Sequence, residues 1–440
     1  MSRVFYREPT REYPVALSGE GVYLYDSTGK QYLDGSGGAA VSCLGHGHPV
    51  VIEAIKAQLD KLAYAHTSFF TTEPQEQLAE RLVDRFGDDD ARVYILSGGS
   101  EANESAIKLA RQYWLAKGYP DKRLIVSRKQ SYHGNTLGAL SASGNPGRRE
   151  IFAPLLHDWP KIDPCYAYRH QAANESDDEY GLRAARLLED KILEVGQDNV
   201  AAFIAETVVG ATLGVVPAVG AYFKAIQDIC DRHQVLLILD EVMSGSGRTG
   251  TYFAFEQDGI TPDIVTIAKG LGGGYQPIGA TIAHGYIHDE IVEKHGAFAH
   301  GHTYIGHATA CAGALAVSSV VDDDALLDTV CNIGDLLVQE LGSAFAEHPH
   351  VGDIRGRGLF IGIELVTDRT SKAPAPAAVA GVLKDEAMAQ GLIIYPGGGT
   401  VDGKTGAHIL LAPPFIYGPA HVDELVSKLR LVLANVAIES

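Results

Sequence analysis

Between about residue 90 and residue 290, short apolar runs rich in Val and Ile alternate with helix-length amphipathic stretches, and no internal sequence repeat stands out. Runs that apolar must be covered on both faces, and parallel neighbours need a long crossover. The alternation therefore predicts a mostly parallel sheet covered by helices. The predicted strands are RVYIL at 92–96, LIVS at 124–127, AAFIAE ending at Glu206, VLLILDE ending at Glu241, DIVTIAK ending at Lys269 and GATIAHG at 279–285. Past about residue 325 the pattern changes to the helix ALLDTVCNIGDLLVQELGSAF, strands within GRGLFIGIELV, GLIIYP and HILLAPP, and a last helix HVDELVSKLRLVLANV. This reads as a smaller α+β domain. The expected division is an N-terminal segment 1–45, with VYLYDSTGKQYLDG as a hairpin packing on the small domain, a large domain 46–325 and the small domain 326–440.

With 440 residues, 46% of them apolar, the chain can bury a core in each part. Its formal charge of −19 repels phosphate backbones and anionic lipid, so neither nucleic acid nor a membrane is an expected partner. The opening MSRVFYREPTREYP has no apolar segment, and no later run reaches the ~18 apolar residues of a span, which points to the cytoplasm. Cys43, Cys165, Cys230, Cys311 and Cys331 are odd in number and widely spaced, as reduced and mostly buried thiols would be.

Chemistry in such sheets sits at the strand carboxyl ends, and three of those ends carry Glu206, Asp240 and Lys269, all costly to bury without partners. In SGGSEANESAIKLARQYW, Gly98, Gly99 and Ser100 stand directly before a helix, where free N–H groups and the helix dipole favour a phosphate. A glycine turn with a serine N-cap explains that segment equally well. Asp240, in LLILDEVMSGSGRTG, stays ionised only beside a cation or strong donors; a protonated pyridine nitrogen is one such partner, Arg248 another. Lys269 is followed at once by glycines, and a lysine in partly apolar surroundings has a neutral amine able to attack an aldehyde. A lysine snorkelling to solvent is the plainer alternative. Together the three match the phosphate, ring nitrogen and aldehyde of pyridoxal 5'-phosphate (PLP). Histidines at His46, His48, His295, His300, His302 and His307 invite a zinc reading, but no Cys or carboxylate stands at ligand spacing, so no metal is expected.

Four segments, SGGSEANESAIKLAR, YHGNTLGALS, DEVMSGSGRTG and TIAKGLGGGYQPIGA, resemble in order and spacing the motifs of the class III PLP-dependent aminotransferases, and GHTYIGHATACAGAL resembles a fifth. The resemblance implies an α/β fold, fold type I of the PLP-dependent transferases, with a large domain whose mostly parallel sheet is covered by helices and a smaller α+β domain. Lys269 would be the Schiff-base lysine and proton shuttle, and Asp240 the pyridinium partner. Gly99 and Ser100 would hold the phosphate, Tyr132 and Val242 would sandwich the ring, and Glu206 would match a motif glutamate, although Thr207 stands where proline is usual. His133, also at the cofactor, is read as a structural hydrogen-bonded histidine because Lys269 already supplies the base. Thr303 would reach the phosphate of a second subunit in a homodimer with shared active sites, or in a tetramer.

The implied reaction is ping-pong amino transfer from an amine donor to a keto acid; decarboxylation, racemisation and phosphate elimination run on the same fold. Met243, where the 4-aminobutyrate and ornithine branch usually has glutamine, resembles the amine and ω-amino acid:pyruvate branch and favours pyruvate over 2-oxoglutarate as acceptor. That branch often has an arginine shortly before its APP segment to bind the substrate carboxylate; GGGTVDGKTGAHILLAPP offers only Lys404. Tyr64, Phe69 and Phe70 are candidates to line the substrate pocket, or else belong to an ordinary core cluster.

Overall fold

The computed structural model describes residues 3–438. Its central sheet has seven strands in the order Arg92–Leu96, Gly279–Ala283, Ile264–Ile267, Leu236–Asp240, Val200–Glu206, Leu124–Arg128 and Lys161–Ile162. All neighbours are parallel except at Gly279–Ala283, which runs against both of its partners. The two-residue alternation of a strand divides these apolar runs between two cores. Phe203, Ala205, Leu237, Leu239, Val265 and Ile267 pack with the helices Glu73–Phe86, Asp177–Val195, Tyr222–His233 and Ala308–Asp323. Ala202, Ile204, Leu236, Ile238 and Ile264 pack with Gly99–Ala116 and Gly285–His295. The same alternation turns Glu206 and Asp240 toward the helix Gly99–Ala116.

Residues beyond 350 form an antiparallel sheet of Val351–Arg357, Phe360–Asp368, Ala407–Leu411 and Tyr395–Gly398, with Ala373–Pro374 on its flank. The hairpin of Tyr23–Asp26 with Gln31–Asp34 continues onto Leu392–Ile393, and Val22, Leu33 and Leu44 share a core with Leu337, Ile361, Leu411 and Leu429. Four of the five cysteines are buried thiols and Cys331 is exposed; all are free. Among the described residues no helix is long and apolar enough to cross a membrane.

A buried ionic cluster joins the small sheet to the segments that follow two strands of the large one. Glu364, with no exposed surface, accepts from Arg169 Nε and Arg355 Nη1, both at 2.6 Å, and from the Tyr166 hydroxyl. Arg355 also donates to the carbonyls of Val215 at 3.0 Å and Leu213 at 2.7 Å, on the far side of the seam. Removing one partner of such a cluster leaves buried charges uncompensated, at a cost of about 3–5 kcal/mol. Glu364→Ala is therefore expected to lower the thermal unfolding midpoint by several degrees in a calorimetric scan; a shift below about 1 °C would contradict a role in holding the sheets together.

Candidate active site

The sheet register sets Asp240 beside Glu206 on one flank and Thr266 on the other. Asp240 is only 4% exposed, and its carboxylate accepts from three donors. Asn103 Nδ2 and His133 Nδ1 both donate to Oδ2 at 2.8 Å, and the Val242 N–H donates to Oδ1 at 3.0 Å. Asn103 also accepts from the Thr266 hydroxyl and donates to the His133 carbonyl, each at 2.8 Å. Arg248 is not the partner of Asp240. Its guanidinium donates to the Leu359 and Pro413 carbonyls, at 3.0 and 2.5 Å, and lies over the Phe415 ring, because the chain after Glu241 turns away toward the small sheet.

Glu206 faces the same space and accepts from the Tyr132 N–H at 3.0 Å and the Gly210 N–H at 2.9 Å, which fixes the backbone that carries the Tyr132 ring. Burial raises its pKa above the usual carboxylate range, and the charge of Asp240 adds to that rise. Lys269 lies two residues past the end of the neighbouring strand, at φ 44°, in the left-handed region that a residue with a β-carbon enters at a cost. It opens the tight turn Lys269–Leu271. Burial pushes its amine down to about 8, against the upward pull of Asp240 and Glu206.

The serine is not the N-cap of its helix. Gly98 holds that position with no side-chain cap, so the first N–H groups of Gly99–Ala116 are left open to an anion, and Ser100 lies in the first turn. The Ser100 hydroxyl accepts from the Asn135 N–H at 3.1 Å. Two glycines keep this cradle open. A β-carbon on Gly99 would come within 2.7 Å of Val242 Cγ1, and one on Gly134, at φ 132°, within 2.6 Å of Ser100 Oγ.

All these groups line one cavity of about 480 Å³: Gly99, Ser100, Tyr132, His133, Glu206, Asp240, Val242 and Lys269. Two cavities are larger, at about 650 and 690 Å³, but the first has no lysine and the lysine of the second, Lys129, is paired with Asp163 at 2.7 Å. The residues present fit PLP. An anion cradle, a buried carboxylate and an amine of lowered pKa converge, with Tyr132 and Val242 offering flat and apolar surfaces beside them. The sequence did not single out Asn103, Gln276, Pro277 or Ile278, which also line the cavity. For Asn103 there was a signal, an asparagine on the inner face of a helix three residues after Ser100, where a buried amide needs partners.

Five candidates, Tyr64, Phe69, Phe70, Thr303 and Lys404, lie outside the cavity of their own chain. Lys404 is exposed in the loop before Ala407–Leu411. Thr303 is exposed, and its carbonyl accepts from the Tyr64 hydroxyl at 2.9 Å. Phe69 and Phe70 are 79% and 67% exposed, so they are not part of a core cluster. Among the described residues no three His, Cys, Asp or Glu side chains gather to hold a metal ion.

A sequence profile of the aminotransferase class-III family matches residues 7–433. An uncharacterised aminotransferase of Schizosaccharomyces pombe is 44% identical over 98% of this chain and 95% of its own length. A mitochondrial gamma-aminobutyrate transaminase of rice (Oryza sativa subsp. japonica) is 38% identical over 96% of this chain and 81% of its own. The crystal structure of the omega transaminase from Pseudomonas jessenii in complex with PMP superposes with a TM-score of 0.91, at 32% identity over 98% of this chain and 96% of that one. These neighbours share fold type I of the PLP-dependent transferases. The chain belongs to the class III aminotransferases and is a PLP-dependent transaminase.

Proposed function

We propose that the enzyme moves the amino group of an ω-amino acid or primary amine to a keto acid, pyruvate in preference to 2-oxoglutarate, in two half-reactions at one site. The observation that carries this reading is Met243, which is nearly buried and lines the cavity with an apolar side chain where a glutamine would offer hydrogen bonds. The rice relative, named for gamma-aminobutyrate, supports an ω-amino acid as donor.

In this reading Gly99, Ser100 and the first turn of their helix hold the phosphate, and Tyr132 and Val242 flank the ring. When bound, PLP supplies an electron sink for the bond broken at the donor carbon. The Asp240 carboxylate, fixed in place by three donors, would hold a proton on the ring nitrogen. Lys269 Nζ, its pKa brought down to about 8 by burial, would take the proton from the donor carbon and hand it on. We read residues 46–325 as the cofactor-binding domain and 1–45 with 326–440 as the smaller one, a division supported by the core shared by Val22, Leu33 and Leu411. We further read the active form as a homodimer in which Thr303 of a second copy reaches the phosphate; the exposure of Thr303, Phe69 and Phe70 leaves that face available.

Lys269→Ala should abolish transamination while leaving the circular dichroism spectrum unchanged, since nothing in the sheet depends on its amine; retained turnover contradicts the assignment. Because only the neutral amine attacks an aldehyde, covalent uptake of PLP by the stripped protein should rise about tenfold per pH unit below 8 and level off above it. A rate that is flat between pH 6 and 9 contradicts the lowered amine pKa. Asp240→Asn should slow the half-reaction about 100-fold or more, as an amide cannot hold the ring-nitrogen charge. Steady-state rates with both keto acids test the acceptor: a higher kcat/KM for 2-oxoglutarate overturns the pyruvate reading.

A further inference from the structure

The substrate proposed above carries a carboxylate, and Lys404 stands outside the cavity, its backbone N–H turned to Asp402 Oδ1 at 2.8 Å. A different cation stands against the ring of a residue that lines the cavity. The guanidinium of Arg148 lies over the ring of Tyr132, 4.4 Å from its centre, and Tyr132 lines the cavity with Lys269 and Asp240. Arg148 is exposed, and among the described residues it has neither an ion pair nor a side-chain hydrogen bond. Arg148 does not itself line the cavity; in a chain of net charge −19, a cation stacked on a ring that does, with its donors free, is suited to an anionic visitor.

The backbone holds Arg148 there. It belongs to the short helix Pro146–Arg149, which follows a turn tied to the residues just before Tyr132. The N–H groups of Gly144 and Asn145 donate to the Ser131 carbonyl at 3.0 and 3.2 Å, and Asn145 Nδ2 donates to Gln130 Oε1 at 3.1 Å. A β-carbon on Gly144 would stand 2.0 Å from the Arg128 carbonyl oxygen, so this turn cannot open to admit a side chain. The loop bearing Lys404 packs on the same helix: a β-carbon on Gly403 would come within 2.7 Å of Pro146 Cδ, and Gln130 Nε2 donates to the Gly399 carbonyl at 2.8 Å. Arg148, remote in sequence, thus belongs to a helix packed against the loop that bears Lys404.

Stacking on a ring restrains a guanidinium but leaves the N–H groups of its plane free, and that fork matches the two oxygens of a carboxylate. The charge of Arg148 also reaches inward, since it contributes to lowering the pKa of the Lys269 amine. We propose that Arg148 binds the substrate carboxylate and that Tyr132 holds its fork at the cavity mouth; the proposal rests on the reading of the enzyme as an ω-amino acid aminotransferase.

The test uses the PLP-loaded enzyme and two donors of similar length, β-alanine and propylamine. In Arg148→Ala the ratio of kcat/KM for β-alanine to that for propylamine should fall about 10- to 100-fold, chiefly through KM, with Arg148→Lys in between because it keeps the charge and loses the fork. Calorimetric titration with propionate and propionamide should show the wild type preferring the acid and Arg148→Ala losing at least about tenfold of that preference. An unchanged ratio, an equal fall with both donors, or a loss that follows Lys404→Ala instead would overturn the assignment. If the wild type used neither amine, the donor reading would fail, and the propionate titration would still decide the role of Arg148.

Discussion

The site is organised around the burial of one charge. A carboxylate taken out of water must find donors or be neutralised, and Asp240 finds three. Each donor brings a different part of the chain with it. Asn103 draws in the helix whose open first turn holds Gly99 and Ser100. His133 draws in the segment bearing Tyr132, and Val242 N–H folds the chain back beneath Gly99. Thr266, bonded to Asn103, ties in the strand that ends just before Lys269. Asp240 is thus the point at which the open helix turn at Ser100, the Tyr132 segment and the Lys269 turn are assembled, and Glu206 repeats the device for the Tyr132 backbone one strand over.

The large sheet was legible in the chain because its strands are continuous Val- and Ile-rich runs, and buried parallel strands read that way. Lys269 and Asp240 were legible for the opposite reason, being charged residues at the ends of runs that exclude charge. What escaped was fixed by tertiary packing. Nothing local shows that Arg248 would spend its donors on two carbonyls of the small sheet rather than on Asp240, or that the helix would begin at Gly98 with no serine cap. Phe69 and Phe70 have the composition of a core and stand in solvent. Arg148 has no signature at all, since a basic residue in a Gly- and Pro-containing turn reads as an ordinary surface position until the turn is seen bolted beside Tyr132.

A lowered amine pKa does not by itself identify the reactive lysine. Burial brings Lys122 and Lys161 to about 8 as well. Lys122 donates to three carbonyls, those of Gln197, Val200 and Gln234, and Lys161 to those of Ser141 and Trp159. Their hydrogens are committed and neither lines the cavity. Lys269 differs by place: it faces the open space that Ser100, Asp240 and Tyr132 also face, at a backbone angle that keeps it off the strand. Place rather than basicity therefore distinguishes the amine expected to meet the cofactor. Borohydride reduction of the PLP-loaded enzyme followed by peptide mapping reads this directly. A single reduced adduct on Lys269 is the predicted result, and an adduct on Lys122, Lys161 or any other lysine, with Lys269 unmodified, would contradict it.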